Sequence, residues 1–189
     1  MPEEDGTTPL DPDEAEGLIP DLLTRGELNA WEQANIVKAE GWVFRRRRDV
    51  LTIDFAMQLH RRMFDETWTW AGKFRRSDNN IGVPWHTISV ALRELLDDAK
   101  YWIENGTYSL DESAARFHRR LVSIHPFPNG NGRHGRLMTD VLARSNGAEP
   151  FTWGRDNPNA FRRARILYLA ALREADGGTI GPLLGFMRS

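Results

Sequence analysis

The chain has 189 residues, a formal net charge of −2, 40% hydrophobic residues, seven tryptophans and no cysteine. That length holds one packed domain with terminal additions, and the missing cysteines exclude a disulfide framework and a thiolate zinc site. No apolar run approaches the roughly 18–20 residues of a membrane span, and the acidic start Met1-Pro2-Glu3-Glu4-Asp5 is unlike a signal peptide, so a cytoplasmic protein without a membrane partner is expected. The charge balance argues neither for nor against nucleic acid, which is not the expected partner.

Residues 1–26 read as an acidic arm, broken by Pro9, Pro12 and Pro20, ahead of a single domain over 27–189. The first helix is predicted over 27–39, with Leu28, Trp31 and Ile36 inward. The cationic run Arg45-Arg46-Arg47-Arg48 reads as a solvated surface or a partner of the acidic arm, ahead of an RNA contact. Residues 52–65 suit a helix with Phe55, Leu59 and Met63 on its apolar face. Residues 73–86 have no helical period. Phe74, Ile81 and Val83 bracket the turn-forming Ser77-Asp78-Asn79-Asn80, which predicts a short β-hairpin.

Residues 87–104 predict a long helix carrying Ile88, Ala91, Leu92, Leu95, Ala99 and Trp102, stopped by Asn105-Gly106. Asp111 is the expected cap of the next helix, whose stripe is Ala114, Phe117, Leu121 and Ile124. Asn157 and Pro158 suit the cap and first residue of a helix over 158–174, and a short last helix follows Pro182. The fold class predicted is all-α: a helical bundle with one small β-hairpin.

The most informative stretch is His125-Pro126-Phe127-Pro128-Asn129-Gly130-Asn131-Gly132-Arg133-His134-Gly135-Arg136. Pro126 forces His125 out of the α region, so the histidine should sit at a helix end and face a cleft. Gly130, Asn131 and Gly132 at the start of the following helix suggest an anion nest, with N–H groups converging where the helix dipole is positive. Arg133 and Arg136 lie three apart on that helix, where guanidinium groups can grip phosphate. His134 should point elsewhere. His60, His86 and His118 are isolated and read as packed or exposed side chains. Neither a His-Glu-x-x-His zinc pattern nor the Lys-Ser/Thr pair of a P-loop is present.

This stretch resembles the signature of the Fic family, His-Pro-Phe-x-(Asp/Glu)-Gly-Asn-Gly-Arg-x-x-Arg, and departs from it at the acidic position, Asn129. The likeness spans about residues 50–145, and Ala71-Gly72-Lys73-Phe74-Arg75 resembles the family's lead-in to a β-hairpin flap. Residues 8–20 resemble the subgroup called mobile mystery protein B, a name that carries no chemistry.

The resemblance implies a Fic fold and a protein adenylyltransferase, a nucleotidyltransferase moving AMP from ATP to a Ser, Thr or Tyr hydroxyl of a target protein. His125 would be the general base, and its ordinary pKa of about 6.5 suits that work. Phe127 would anchor the loop. Gly130, Asn131, Gly132, Arg133 and Arg136 would hold the nucleotide's phosphates. The flap positions Ile81, Gly82 and Val83 would touch the target by strand addition.

Magnesium would meet Asn129, whose carbonyl oxygen lacks the charge that this hard cation prefers. That departure leaves two alternatives open: a Doc-like kinase or other phosphate-group transferase, and a catalytically weak nucleotide-binding module. The family's inhibitory segment, Ser/Thr-x-x-x-Glu-Gly/Asn, has no intact copy. Its nearest echo ends at Glu40-Gly41, with Ile36 where the hydroxyl belongs. A separate antitoxin-like protein is the alternative source of inhibition. A toxin role follows the family's habit and not these residues.

Overall fold

The computed structural model describes residues 17–21, 24–154 and 161–189. Seven α-helices are described: α1 Arg25–Val43, α2 Ile53–Phe64, α3 Ile88–Glu104, α4 Leu110–Ile124, α5 Asn131–Ser145, α6 Phe161–Asp176 and α7 Gly181–Met187. A 3-10 turn, Trp85–Thr87, leads into α3. Among the described residues no strand forms, and one isolated β-bridge joins Leu18 to Trp68.

The predicted helices are present, and their caps show why they begin where they do. Thr24 and Glu27 form a reciprocal capping box at the start of α1. The Thr52 side chain caps α2 by accepting from the Phe55 N–H. At α4 the cap is Ser109, whose Oγ accepts from the Glu112 N–H at 3.2 Å, and not Asp111. Asp111 lies within the first turn, where it pairs with Arg188 at 2.8 Å. The Asn157-Pro158 start falls within 155–160, outside the described residues, as do residues 1–16 of the acidic arm.

α1 runs to Val43, past its predicted end, because Gly41 sits in open space and weakens the helix without breaking it. Trp31 is not inward: it is 45% exposed and donates its indole N–H to the Glu66 carbonyl. Its neighbour Glu32 is buried instead.

One core joins Phe55, Leu59 and Met63 of α2, Leu92 and Leu95 of α3, Phe117 and Leu121 of α4, and Met138 and Leu142 of α5. Each such side chain contributes about 1.5–3 kcal/mol by leaving water. A second cluster joins Ala114 and Ala115 of α4 and Ala143 of α5 to Phe151, Trp153, Tyr168, Leu183 and Met187. Alanines on the second face of α4 leave room for these aromatic rings. Helices α4 and α5 therefore lie between two cores, and the loop joining them, 125–130, is held from both ends. Arg48 stacks on Trp42 with its guanidinium carbon 3.7 Å from the ring centroid.

The predicted hairpin over 73–86 is absent, for a physical reason. Arg75, 2% exposed, donates to the carbonyl oxygens of Ser77, Val83 and His125. The backbone N–H groups of Arg75 and Val83 donate to Pro126 and Ile124. The backbone N–H groups of both limbs thus go to the end of α4 and the loop after it, and the Val83 carbonyl goes to the Arg75 side chain, so no backbone ladder joins the limbs.

Candidate active site

Helix α4 ends on His125, which takes the left-handed conformation, φ 53° and ψ 61°. A side chain with a Cβ pays about 1–2 kcal/mol there. The following proline disfavours the right-handed alternative, and three hydrogen bonds fix the bend. The His125 N–H donates to Leu121 at 3.2 Å, the His125 carbonyl accepts from Arg75 Nε at 2.8 Å, and the Pro126 carbonyl accepts from the Arg75 N–H at 3.0 Å.

His125 is buried, 7% exposed. Burial pushes its pKa down to about 4; the Val122 carbonyl acts the other way, and the Arg75 charge adds to the fall. The ring is therefore neutral at neutral pH, which corrects the value expected from the free side chain. Its Nδ1 lies 3.3 Å from the Val122 carbonyl, which can only accept, so Nδ1 carries the proton and Nε2 is the basic nitrogen.

Gly130 is the N-cap of α5 at φ 75°, and a Cβ there would meet the Phe64 ring at 2.5 Å. Only glycine fits this position. Gly130 offers no side chain to cap α5, and the N–H groups of the first turn have no acceptor within the helix itself. Gly132, in that turn, has open space where a Cβ would be. The Asn131 side chain is not part of this surface. It accepts from the Phe127 N–H at 2.9 Å and donates to the Phe127 carbonyl at 2.7 Å, stapling the loop from within. Phe127 is fully buried, 3.7 Å from the His60 ring between centroids.

The two arginines share a face of α5 but reach different helices. Arg133 pairs with Glu32 of α1 at 2.7 Å and lies over Phe64, 5.1 Å from its centroid. Arg136 hydrogen-bonds the Tyr168 hydroxyl of α6, and burial pushes that hydroxyl up to about 12 against the pull of Arg136. Tyr168 in turn lies 3.0 Å from His118 Nε2, and His118 Nδ1 lies 3.3 Å from Thr139. Burial pushes the His118 pKa down to about 3, so this ring is neutral. His134 turns to α2, apart from the two arginines as expected: it is buried and 3.0 Å from the Ala56 carbonyl.

Asn129 turns its Oδ1 back onto the Gly130 N–H at 2.6 Å. That oxygen is neutral and already accepting. Among the described residues no group of three or more His, Asp or Glu side chains could hold a metal. The carboxylate beside the cradle, Glu32, is engaged by Arg133 and Trp68. These donors do not fit a protein-held magnesium ion.

Of the flap positions, Ile81 and Gly82 are exposed, whereas both backbone groups of Val83 are spent inside the chain. A Cβ on Gly82 would lie 3.0 Å from the His125 Cβ, so this segment closes directly over the histidine.

Three supporting residues escape a reading of the sequence. His60 accepts from the Gly72 N–H at 3.0 Å and donates to the Asn129 carbonyl at 3.0 Å, tying the flap's lead-in to the loop. The only local signal is a polar ring beside Leu59 and Phe64 on a buried face, which must find two partners. Glu32 and Tyr168 lie far away in sequence and leave no local signal. No described helix is long and apolar enough to cross a membrane.

The sequence pattern described as the Fic/DOC family matches residues 50–143. A protein adenylyltransferase, fic-1 of Caenorhabditis elegans, is 27% identical over 146 residues, 75% of this chain and 27% of that protein. A probable protein adenylyltransferase of Aquifex aeolicus, aq_aa38, is 36% identical over 80 residues, 42% of this chain and 22% of that protein. The chain thus spans about a quarter of the length of these relatives. The crystal structure of the BepC effector protein of Bartonella tribocorum, with bound AMPPNP, superposes with a TM-score of 0.68 at 17% identity, covering 88% of this chain and 87% of that one. That likeness is one of fold.

Proposed function

Because this chain belongs to the Fic/DOC family, we propose that it is a protein adenylyltransferase, moving AMP from ATP to a Ser, Thr or Tyr hydroxyl of a target protein. The observation that carries this reading is the placement of His125. A neutral imidazole with Nδ1 anchored on Val122 presents Nε2 as a base, one short loop away from the side-chain-uncapped start of α5.

In this reading the nucleotide's phosphates lie on the first-turn N–H groups after Gly130, those of Asn131 and Gly132 included, with Arg133 and Arg136 as the flanking cations. The acceptor hydroxyl gives its proton to His125 Nε2 as its oxygen bonds to the α-phosphorus. The bond from that phosphorus to the bridging β-oxygen breaks, and pyrophosphate leaves. Catalysis of this kind is mostly positioning and charge stabilisation. Ile81 and Gly82 are the backbone positions offered to the target segment. Magnesium would arrive as part of the Mg-ATP substrate.

The exposed flap edge fits a protein target. The incomplete inhibitory segment at Glu40 fits control by a separate antitoxin-like protein, and the need for ATP fits a cytoplasmic location. A second reading, a nucleotide-binding module of little activity, is favoured by Asn129, whose oxygen is spent on Gly130.

Intact-mass spectrometry of lysate proteins after incubation with Mg-ATP separates these readings. An AMP-sized addition that vanishes with His125→Ala is the expected result. A phosphate-sized addition would move the chain to the kinase class, and ATP binding without any addition would favour the inactive module.

A further inference from the structure

Glu32 sits on α1, outside the segment that matches the family, and 101 positions before the arginine it meets. Its side chain is only 5% exposed. A buried carboxylate is costly unless its oxygens are satisfied, and here both are. Oε2 accepts from Arg133 Nη1 at 2.7 Å, and Oε1 accepts from Trp68 Nε1 at 2.8 Å.

Trp68 is itself fixed. It is 3% exposed, stacks on Trp70 at 4.9 Å, and its backbone N–H donates to the Phe64 carbonyl at 2.8 Å. Phe64 is the ring beneath both Gly130 and the Arg133 guanidinium. The arginine is therefore held at one nitrogen by a carboxylate that cannot move away, and from below by a ring. A guanidinium has five N–H donors. Glu32 takes one edge and leaves the rest of the fork for a second anion.

We propose that Glu32 is a positioning residue, which, braced by Trp68, presents Arg133 to the phosphates of the bound nucleotide. This rests on the reading of the cradle as a nucleotide site. It adds that α1, beyond the matched segment, is part of the working site. A free arginine side chain would have to be ordered at the moment of binding; one already held loses less conformational freedom. The opposite role, a carboxylate that competes with phosphate for Arg133, predicts the opposite sign.

The test is a double-mutant cycle on ATP affinity, read by isothermal titration calorimetry on the full chain: wild type, Glu32→Gln, Arg133→Ala and both. Glu32→Gln should weaken ATP binding by about tenfold, the scale of one charge-assisted hydrogen bond. Glu32→Asp should recover part of the loss, and Glu32→Gln should change nothing further in the Arg133→Ala protein. Equal or tighter ATP binding by Glu32→Gln would overturn the proposal, and so would the same loss in both backgrounds.

A second readout needs no nucleotide. The Arg133 Nε–H NMR signal, assigned with Arg133→Lys, should be sharp and slow to exchange in the wild type and broadened in Glu32→Gln. An unchanged signal would overturn the proposal even if the wild type bound no ATP. ATP binding without AMP transfer would sink the functional reading alone.

Discussion

The Arg75 guanidinium donates its Nε–H to the carbonyl oxygen of His125 at 2.8 Å, across 50 positions of sequence. The same side chain holds the Ser77 and Val83 carbonyls, so one residue joins the 77–83 segment to the loop carrying His125. Lysine at this position keeps the charge and loses the planar fork. Arg75→Lys should therefore destabilise the fold by about 1–3 kcal/mol, the cost of leaving buried carbonyl groups unmade. Urea unfolding measures it. Wild-type stability in that variant would show that the fork does not hold the flap.

The low pKa of His125 has a kinetic consequence. At neutral pH the ring is neutral already, so the base limb of the transfer rate should be flat from about pH 8 down to about pH 6 and fall only on approach to about pH 4. A fall centred near 6.5, the ordinary histidine value, would mean that the ring is better hydrated than its burial indicates.

The same burial makes the fold acid-sensitive. His60, His118, His125 and His134 all have depressed pKa values, the last three about 4, 3 and 4 in the order His125, His118, His134. Above the unfolded value of about 6.5 these rings are neutral in both states and add no pH dependence. As pH falls below it, the unfolded chain takes up protons that the folded chain refuses, so stability declines through the window from about 6.5 to about 3–4. The melting temperature should drop steadily there, more than carboxylate titration alone accounts for. His118→Gln should reduce the slope between pH 6.5 and pH 4, and an unaltered slope would count against this assignment.

Much of this site follows from local chemistry. Pro126 ends α4 at His125, and Gly130, in the left-handed conformation, starts α5. Apolar spacing over Phe55, Leu59 and Met63, and over Phe117 and Leu121, places the helices that flank the loop. Two of the failures, at Trp31 and at the predicted hairpin, share a cause. Trp31 reads as a core residue by type, yet Glu32 is the buried one because Arg133 and Trp68 neutralise it from elsewhere in the chain. The flap reads as a hairpin because the strand signal cannot see that Arg75 claims its carbonyls. Long-range polar pairing has no period, so periodicity does not report it.

Gly132 separates folding from binding. A Cβ there meets no atom within 4 Å, and alanine is the better helix former by about 0.5–1 kcal/mol. Gly132→Ala should melt at the same temperature as the wild type or higher while binding ATP more weakly, because the methyl group fills the anion's place. Unchanged ATP affinity would put the phosphates elsewhere. Gly130→Ala, by contrast, should lose stability outright through its clash with Phe64.

Asn129→Asp restores a charge beside the positive end of α5. Its carboxylate can accept from Gly130 and still offer an oxygen to a cation. The variant should bind ATP more tightly with magnesium than without it, by a larger factor than the wild type does. Equal factors would show that position 129 faces away from the metal carried by the nucleotide.

The proposed function requires that the chain move AMP with His125 as base. The most direct test is label transfer from ATP carrying phosphorus-32 at either the α or the γ position, with wild-type and His125→Ala protein in bacterial lysate. Protein-bound label from the α position alone, lost in the variant, is the predicted result. Label from the γ position alone, or equal α labelling by the variant, would contradict the account.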